Sequence, residues 1–455
     1  MFKKLKERNL HIVVVAFFLG TFLGFNVTFL EAAKEPAHRY LDYFHQVYQV
    51  LRTEYVDAPS TKELFYGAIR GMIKSLDDPF SRFLDEASLG QLKEMTTGKF
   101  VGVGIEITVR DSEVVVISPI ADSPAMDAGI QAGDIIEKVN EKPIKGKKLT
   151  EIVKMIKGLP QSSVDLSVRR EGFDEPLHFK IKRAPIKIKS VQFAVLDGTN
   201  IGYIKVKSFG TETTGDVKKA IDDLKKKNVE KIIMDLRYNP GGLLTAAVGL
   251  SDLFLDKEQV IVSTKGRNGK NERVFKSQND PLAKGPLVVL VNKGSASASE
   301  IFSGAIRDNK RGTLMGEKTF GKGSVQKTFS LDENVGIAVT IAKYYTPSGE
   351  LIHKKGIKPD VKVSYRDLTK EEKKALGRIN KEKLLDAFVK KGTLYDEKTK
   401  KEFQAFLKKK NIAMSDWTAN LVLKNKVYQY KKRPLYDLEF DSQLTKAMET
   451  LKDKK

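Results

Sequence analysis

The 455-residue chain contains no cysteine. A thiol nucleophile and a cysteine-bound zinc site are both excluded on that ground. Histidine is scarce, with only His11, His38, His45, His178 and His353. No His-Glu-x-x-His stretch exists, which argues against a zinc protease of that type. Only His353 lies near the segments that carry chemistry. It follows a Tyr345-Thr346-Pro347-Ser348-Gly349 turn and reads as a loop residue, so a Ser-His pair is disfavoured. Acidic residues are the minority charge: 58 Asp+Glu against 80 Lys+Arg leave a formal charge of +22. That balance suits nucleic acid or an anionic membrane surface. Yet no nucleic-acid motif is present, and the lysines are dispersed and heaviest after residue 365, as on a solvated basic face.

Long apolar runs are also rare, with one exception. His11 to Leu30 carries no charge and follows the basic segment Met1 to Arg8. It is long enough to cross a bilayer as one helix. The basic flank places the remainder on the extracytoplasmic side. A cleaved signal peptide, with Ala32-Ala33 as its site, is the rival reading.

Two other segments carry the chemistry. The first is Asn292-Lys293-Gly294-Ser295-Ala296-Ser297-Ala298-Ser299-Glu300. It follows Leu287 to Val291, a buried-strand pattern, and opens into a helix at Ile301 to Ile306. A small serine at a strand-to-helix turn is well placed as a nucleophile, because helix-start N–H groups stabilise negative charge beside it. The second is Thr319-Phe320-Gly321-Lys322-Gly323-Ser324-Val325-Gln326, a lysine between two glycines. A desolvated lysine can serve a serine as base. Each segment also has a plain reading. Ser297-x-x-Glu300 is a capping box, and a lysine between glycines is a solvated turn. The pairing of the two segments carries the weight.

Together they resemble the signature of the carboxyl-terminal processing peptidases, or tail-specific proteases. Those enzymes carry Ser-Ala-Ser-Ala-Ser-Glu-Ile followed by Phe-Gly-Lys-Gly-x-Val-Gln, and both stand here unbroken. The resemblance implies Ser297 as nucleophile, with Lys322 as base 25 positions later. It implies Gln326 as the residue that orients the lysine. Asp235-Leu236-Arg237-Tyr238-Asn239-Pro240-Gly241-Gly242 is similar to the family's oxyanion loop. A donor from Gly241 or Gly242, with the N–H of Ala298, is implied; which glycine donates is left open. Gly133-Asp134-Ile135-Ile136 resembles a PDZ domain, which binds a chain end as an added strand. Phe100, Gly102, Val103, Gly104 and Ile105 match its loop and strand, and Lys157 the basic position that senses substrate.

The implied fold is multidomain α/β: a crotonase-like α/β protease core with an inserted PDZ domain, a helical N-terminal region and a helical C-terminal extension. The boundaries are an anchor or signal at 1–31, a helical region at 32–96, the PDZ domain at 97–185, the peptidase core at 186–366 and a basic extension at 367–455. The expected activity is Ser-Lys endopeptidase cleavage near the carboxyl end of protein substrates that carry a free C-terminus. No metal or organic cofactor and no nucleic acid are expected. The N-terminal helix is expected to meet the membrane, and self-association is left open, especially for the extension. Two other classes are weighed: a catalytically silent envelope PDZ scaffold, and a basic membrane-surface or nucleic-acid binder.

Overall fold

The computed structural model describes residues 37–110, 112–120, 122–390, 392–429 and 433–452. The expected membrane anchor lies outside the described residues. Among the described residues, no helix is long and apolar enough to cross a membrane. The chain divides into two units, one ending at Phe83 and one starting at Leu84.

The first unit holds helices α1 (Ala37–Glu54) and α2 (Thr61–Lys74). Ser60 caps α2 by accepting the Glu63 N–H, which satisfies one of the free donors of the first turn. Helix α1 has no buried residue. Its Phe44 and Tyr48 rings lie 5.8 and 5.0 Å from Phe65, while Tyr40, Val47 and Val50 are exposed.

The second unit begins with α3 (Glu86–Thr97), which Asp85 caps and a left-handed Gly98 ends. Strand β1 (Lys99–Gly102) then pairs antiparallel with β8 (Ala184–Lys187). Chain entry and exit thus lie side by side, and everything between them forms an inserted domain. That domain is a sheet of β2 (Ile105–Arg110), β3 (Glu113–Pro119), β4 (Ile135–Val139), β6 (Ser163–Arg169) and β7 (Leu177–Lys182) in that order, with β5 (Lys142–Pro143) beside β4. Helices α4 (Pro124–Asp127) and α5 (Leu149–Ile156) pack on it. Val164, Leu166 and Val168 alternate inward with no exposure, as one face of a pleated strand requires. The sequence reads Gly102 to Val109 as one alternating strand, but the structure breaks it. Gly102 belongs to the β1–β8 pair, and Ile105 starts the pairing with β3. The break falls at Gly104, whose φ is +79°; a Cβ there would approach that of Ser123 to 2.3 Å.

The remaining core is a sheet ordered β9 (Val191–Val195), β10 (Ile201–Val206), β11 (Lys231–Asp235), β14 (Leu287–Val291), β15 (Thr313–Gly316) and β18 (Val361–Lys362). Only β9 is antiparallel to its neighbour; the other pairs are parallel. Parallel strands are buried on both faces, hence the unbroken Leu287-Val288-Val289-Leu290-Val291 run. Val289, Val291 and Met234 face α6 (Thr213–Lys225), α7 (Leu244–Asp252) and α8 (Ala298–Asp308). Val288, Leu290 and Ile233 face the other way, against Leu444, Ala447 and Leu451 of α13 (Ser442–Lys452). The end of the described chain thus covers one face of the central sheet. A second sheet, ordered β16 (Ser324–Ser330), β17 (Gly336–Tyr345), β12 (Val260–Gly266) and β13 (Arg273–Lys276), adjoins it. Helices α9 (Lys370–Lys381), α10 (Leu384–Phe388), α11 (Glu397–Lys409) and α12 (Asp416–Val427) make a small core of their own around Ile379, Phe403, Leu407 and Leu423.

Candidate active site

Three loops leave the carboxyl ends of adjacent parallel strands. Arg237 to Gly242 follows β11, Asn292 to Ser297 follows β14, and Glu317 to Gly323 follows β15. Crevices at such strand ends are the usual binding places of parallel sheets. The sequence-derived oxyanion loop, nucleophile and base each occupy one of these loops.

The three serines of the middle loop differ in what their hydroxyls do. Ser295 is fully buried and donates to Leu236 O at 2.8 Å. Ser299 is fully buried and donates to Asn239 O at 2.9 Å. Ser297 is 7% exposed, and its side chain faces the Glu300 backbone N–H of its own helix start, in a capping box, rather than a neighbouring loop. Two hydroxyls therefore fasten the loop to the neighbouring one, and that of Ser297 does not. Ser297 also holds φ +55° and ψ −113°, a sparsely populated conformation for a residue with a side chain. The neighbouring bonds overdetermine it: Ala296 N–H to Asn239 O at 3.0 Å, and Ser297 N–H to Glu300 Oε2 at 2.9 Å.

The sequence pattern gives Glu300 a helix-capping role. Glu300 is fully buried, and its carboxylate does far more than cap. Oε2 accepts the N–H of Ser297 and, at 2.8 Å, the N–H of Lys322. Oε1 accepts the Thr319 hydroxyl at 2.5 Å and the Gly321 N–H at 2.7 Å. One oxygen thus ties the backbone of Ser297 to the backbone of Lys322. Burial raises the Glu300 carboxyl above the ordinary carboxylate range, and the Thr319 and backbone bonds only partly offset that. A signal was present in the sequence: Glu300 is an acid at the head of the apolar run Ile301-Phe302.

Lys322 is half-buried, and the His353 loop runs beside it, with the Lys354 N–H donating to Gly321 O at 2.8 Å. Gln326 lies on β16, and its amide nitrogen donates to Ser324 Oγ at 2.7 Å and Thr340 Oγ1 at 3.3 Å. Its amide oxygen takes no hydrogen bond among the described residues.

Gly241 packs directly on Ser297. A Cβ on it would lie 2.8 Å from Ser297 Cβ and 2.9 Å from Ala298 N. Its φ of +99° is a second reason for glycine. The Gly241 N–H donates to Asn239 Oδ1 at 2.9 Å, while the N–H groups of Gly242 and Ala298 meet no acceptor among the described residues.

The PDZ-side residues meet at a separate place. Phe100, Gly102, Val103, Gly104, Ile105 and Lys157 all line one apolar cavity of about 300 Å³, with Val153 and Ile156 of α5. Lys157 donates to Glu94 Oε2 of α3 at 2.6 Å and sits 4.9 Å from the Phe100 ring centre. Glu94 was not singled out from the sequence, since its partner is 63 residues away. No group of His, Cys, Asp and Glu suited to a metal occurs among the described residues.

Residues 200–363 match the profile of Peptidase family S41, residues 115–170 that of a PDZ domain, and residues 26–88 that described as the activating protease CtpB N-terminal domain. The carboxy-terminal processing protease CtpA of Bacillus subtilis is 36% identical, over 96% of this chain and 96% of its own length. A carboxy-terminal-processing protease of Bartonella bacilliformis is 39% identical, over 77% of this chain and 82% of its own. Among solved structures, a photosystem II D1 C-terminal processing protease is 34% identical, covers 71% of this chain and 86% of its own, and superposes with a TM-score of 0.42.

Proposed function

The chain belongs to the carboxy-terminal processing proteases of peptidase family S41, and we propose that its chemistry runs through Ser297 as nucleophile and Lys322 as general base. The protein is a serine peptidase with a PDZ domain. The observation that carries the assignment is the shared Glu300 oxygen, which holds the Ser297 and Lys322 backbones side by side. In this reading the neutral Lys322 amine takes the Ser297 proton as Oγ attacks the scissile carbonyl, then returns it to the leaving amine. Gln326, with a spare amide oxygen, orients that amine.

The oxyanion donors in this reading are Gly242 and Ala298. Gly241 O accepts the Phe209 N–H at 3.0 Å. In a trans peptide the N–H points opposite to the C=O, so the Gly242 N–H is directed away from Phe209. The Gly241 N–H, by contrast, is already held by Asn239. We assign the core to the crotonase-like kind, in keeping with its mostly parallel sheet.

Substrate tails enter the cavity between β2 and α5 in this reading, add a strand to β2, and present a free carboxylate to the Gly102–Ile105 backbone. The basic, apolar N-terminal segment argues for an extracytoplasmic enzyme held at the membrane. Family membership and the intact dyad disfavour the silent-scaffold and nucleic-acid readings. The deciding experiment incubates an unstructured, apolar-tailed protein with parent, Ser297→Ala and Lys322→Ala enzymes. Cleavage by the parent alone is expected; cleavage by Ser297→Ala would overturn the assignment. Membrane fractionation with and without residues 1–31 tests the address.

A further inference from the structure

Arg237 opens the oxyanion loop, and its guanidinium is spanned by two carboxylates. On one edge, Nε and Nη2 donate to Asp235 at 3.0 and 2.7 Å, and the Arg237 N–H adds a third bond to Asp235 Oδ1 at 2.9 Å. Asp235 ends β11, so this edge is fixed to the sheet. On the other edge, Nη1 and Nη2 donate to Asp441 Oδ1 and Oδ2 at 2.7 and 2.6 Å. Nη1 also reaches Tyr365 Oη and Gln443 Oε1, each at 3.1 Å. Asp441 in turn accepts the Leu444 N–H at 3.0 Å, at the start of α13. Arg237 is 7% exposed and Asp235 fully buried. Burial pushes the Asp235 carboxyl up, but the adjoining guanidinium more than reverses this and holds it below the ordinary range.

Such a two-sided fork is geometrically demanding, since a guanidinium matches each carboxylate in one plane. The residues that follow Arg237 inherit its placement. The Tyr238 N–H reaches Asn292 Oδ1 at 3.0 Å on the nucleophile loop, and Asn239 holds Gly241. The loop is therefore anchored from three sides, and one anchor comes from 204 residues away.

We propose that Asp441 is a positioning residue for the oxyanion loop, acting through Arg237, so that the segment Asp441–Leu451 governs turnover as well as sheet burial. The proposal rests on the assignment of Gly242 and Ala298 as oxyanion donors. A part built only for stability would change the amount of folded enzyme. A positioning part changes kcat per folded enzyme and leaves tail capture intact.

The test compares the full chain with Asp441→Asn, Asp441→Glu and the milder Tyr365→Phe. The readouts are kcat and KM on an apolar-tailed peptide, and affinity for a peptide boronate, which needs both Ser297 and the oxyanion donors. Asp441→Asn should lower kcat about tenfold or more, with KM within about twofold and boronate affinity falling in proportion to kcat. Asp441→Glu should recover part of the loss, and Tyr365→Phe should show the same split at smaller size. If Asp441→Asn does not fold, the split in Tyr365→Phe decides. Folded variants with parental kcat, or with the loss confined to KM, would overturn the clamp. Ser297→Ala is run beside them. Cleavage by that variant strikes the active-site reading itself. Parental turnover in Asp441→Asn beside an inactive Ser297→Ala strikes the clamp alone.

Discussion

The tail cavity and the catalytic crevice are built on opposite terms. The cavity is apolar, and its one ion pair, Lys157 with Glu94, has each side chain about one-third exposed. Exposed pairs contribute little, with a median of about 0–1 kcal/mol. The crevice is made of fully buried polar groups, Glu300, Asn239, Ser295 and Ser299, each bonded to backbone of another segment. Removing one partner there leaves a buried donor or acceptor unsatisfied, at about 1–3 kcal/mol each. The difference teaches where tolerance lies. The cavity is bounded by apolar side chains and one partly exposed pair, while the crevice is held by buried bonds from several segments at once.

The sharpest test of that contrast is the dyad. Ser297→Ala and Lys322→Ala should each lower kcat by at least about 10³-fold, measured by peptide cleavage. Both should bind a tail peptide as the parent does, and a parallel loss of binding would break the comparison. Next in size is Glu300→Gln, which keeps the shape but turns a donor toward backbone N–H groups. It should cost about 10²-fold in kcat with little change in KM, because both loops shift. Ser295→Ala and Ser299→Ala should retain substantial activity.

Changes in the cavity should be smaller and should fall on KM. Amidating the tail should weaken binding to the Ser297→Ala protein about tenfold, since a charged acceptor is lost; Gly104→Glu should weaken it at least as much, because its Cβ also displaces Ser123. Equal affinity for free and amidated tails would remove carboxylate capture from the account. A smaller effect, seen only in acid, concerns Asp235. Its carboxyl is held below the ordinary range in the fold. Its contribution is therefore fully present above the unfolded value of 3.8 and is lost as pH falls through the folded value. The stability gap between parent and Asp235→Asn, measured by denaturant titration, should close as pH is lowered through that window. At neutral pH, His353→Gln and a chelator should each leave the rate within about twofold, as a Ser-Lys mechanism requires.

What could be read in the sequence was local. Leu287 to Val291 announces a doubly buried strand because the run is short, rich in β-branched valine, and flanked by Gly285-Pro286 and Asn292-Lys293-Gly294. Phe403 and Leu407 announce one face of a helix, and both are buried there. The three chemical segments were legible because each is a contiguous loop. Legibility ended where partners are far apart in sequence. Nothing near Glu300 shows that it will take the N–H groups of Gly321 and Lys322. Nothing near Asp441 shows that it will meet Arg237. The break at Gly104 was missed because strand alternation continues on both sides of a change of partner. Leu444, Ala447 and Leu451 do have helical spacing, but only the fold shows which surface they cover.

The position of α13 also sets a timetable. Protein synthesis reaches Ser297 and Lys322 long before it reaches Asp441. Until the later residues exist, Val288, Leu290 and Ile233 have no cover on one side, and the Arg237 fork has one jaw. In the nascent chain the Ser297 and Lys322 loops therefore precede the segment that completes the Arg237 fork. Under the proposed clamp, a chain still short of Asp441 carries both loops with the fork open on one side, and its turnover is expected to be low for the same reason as that of Asp441→Asn.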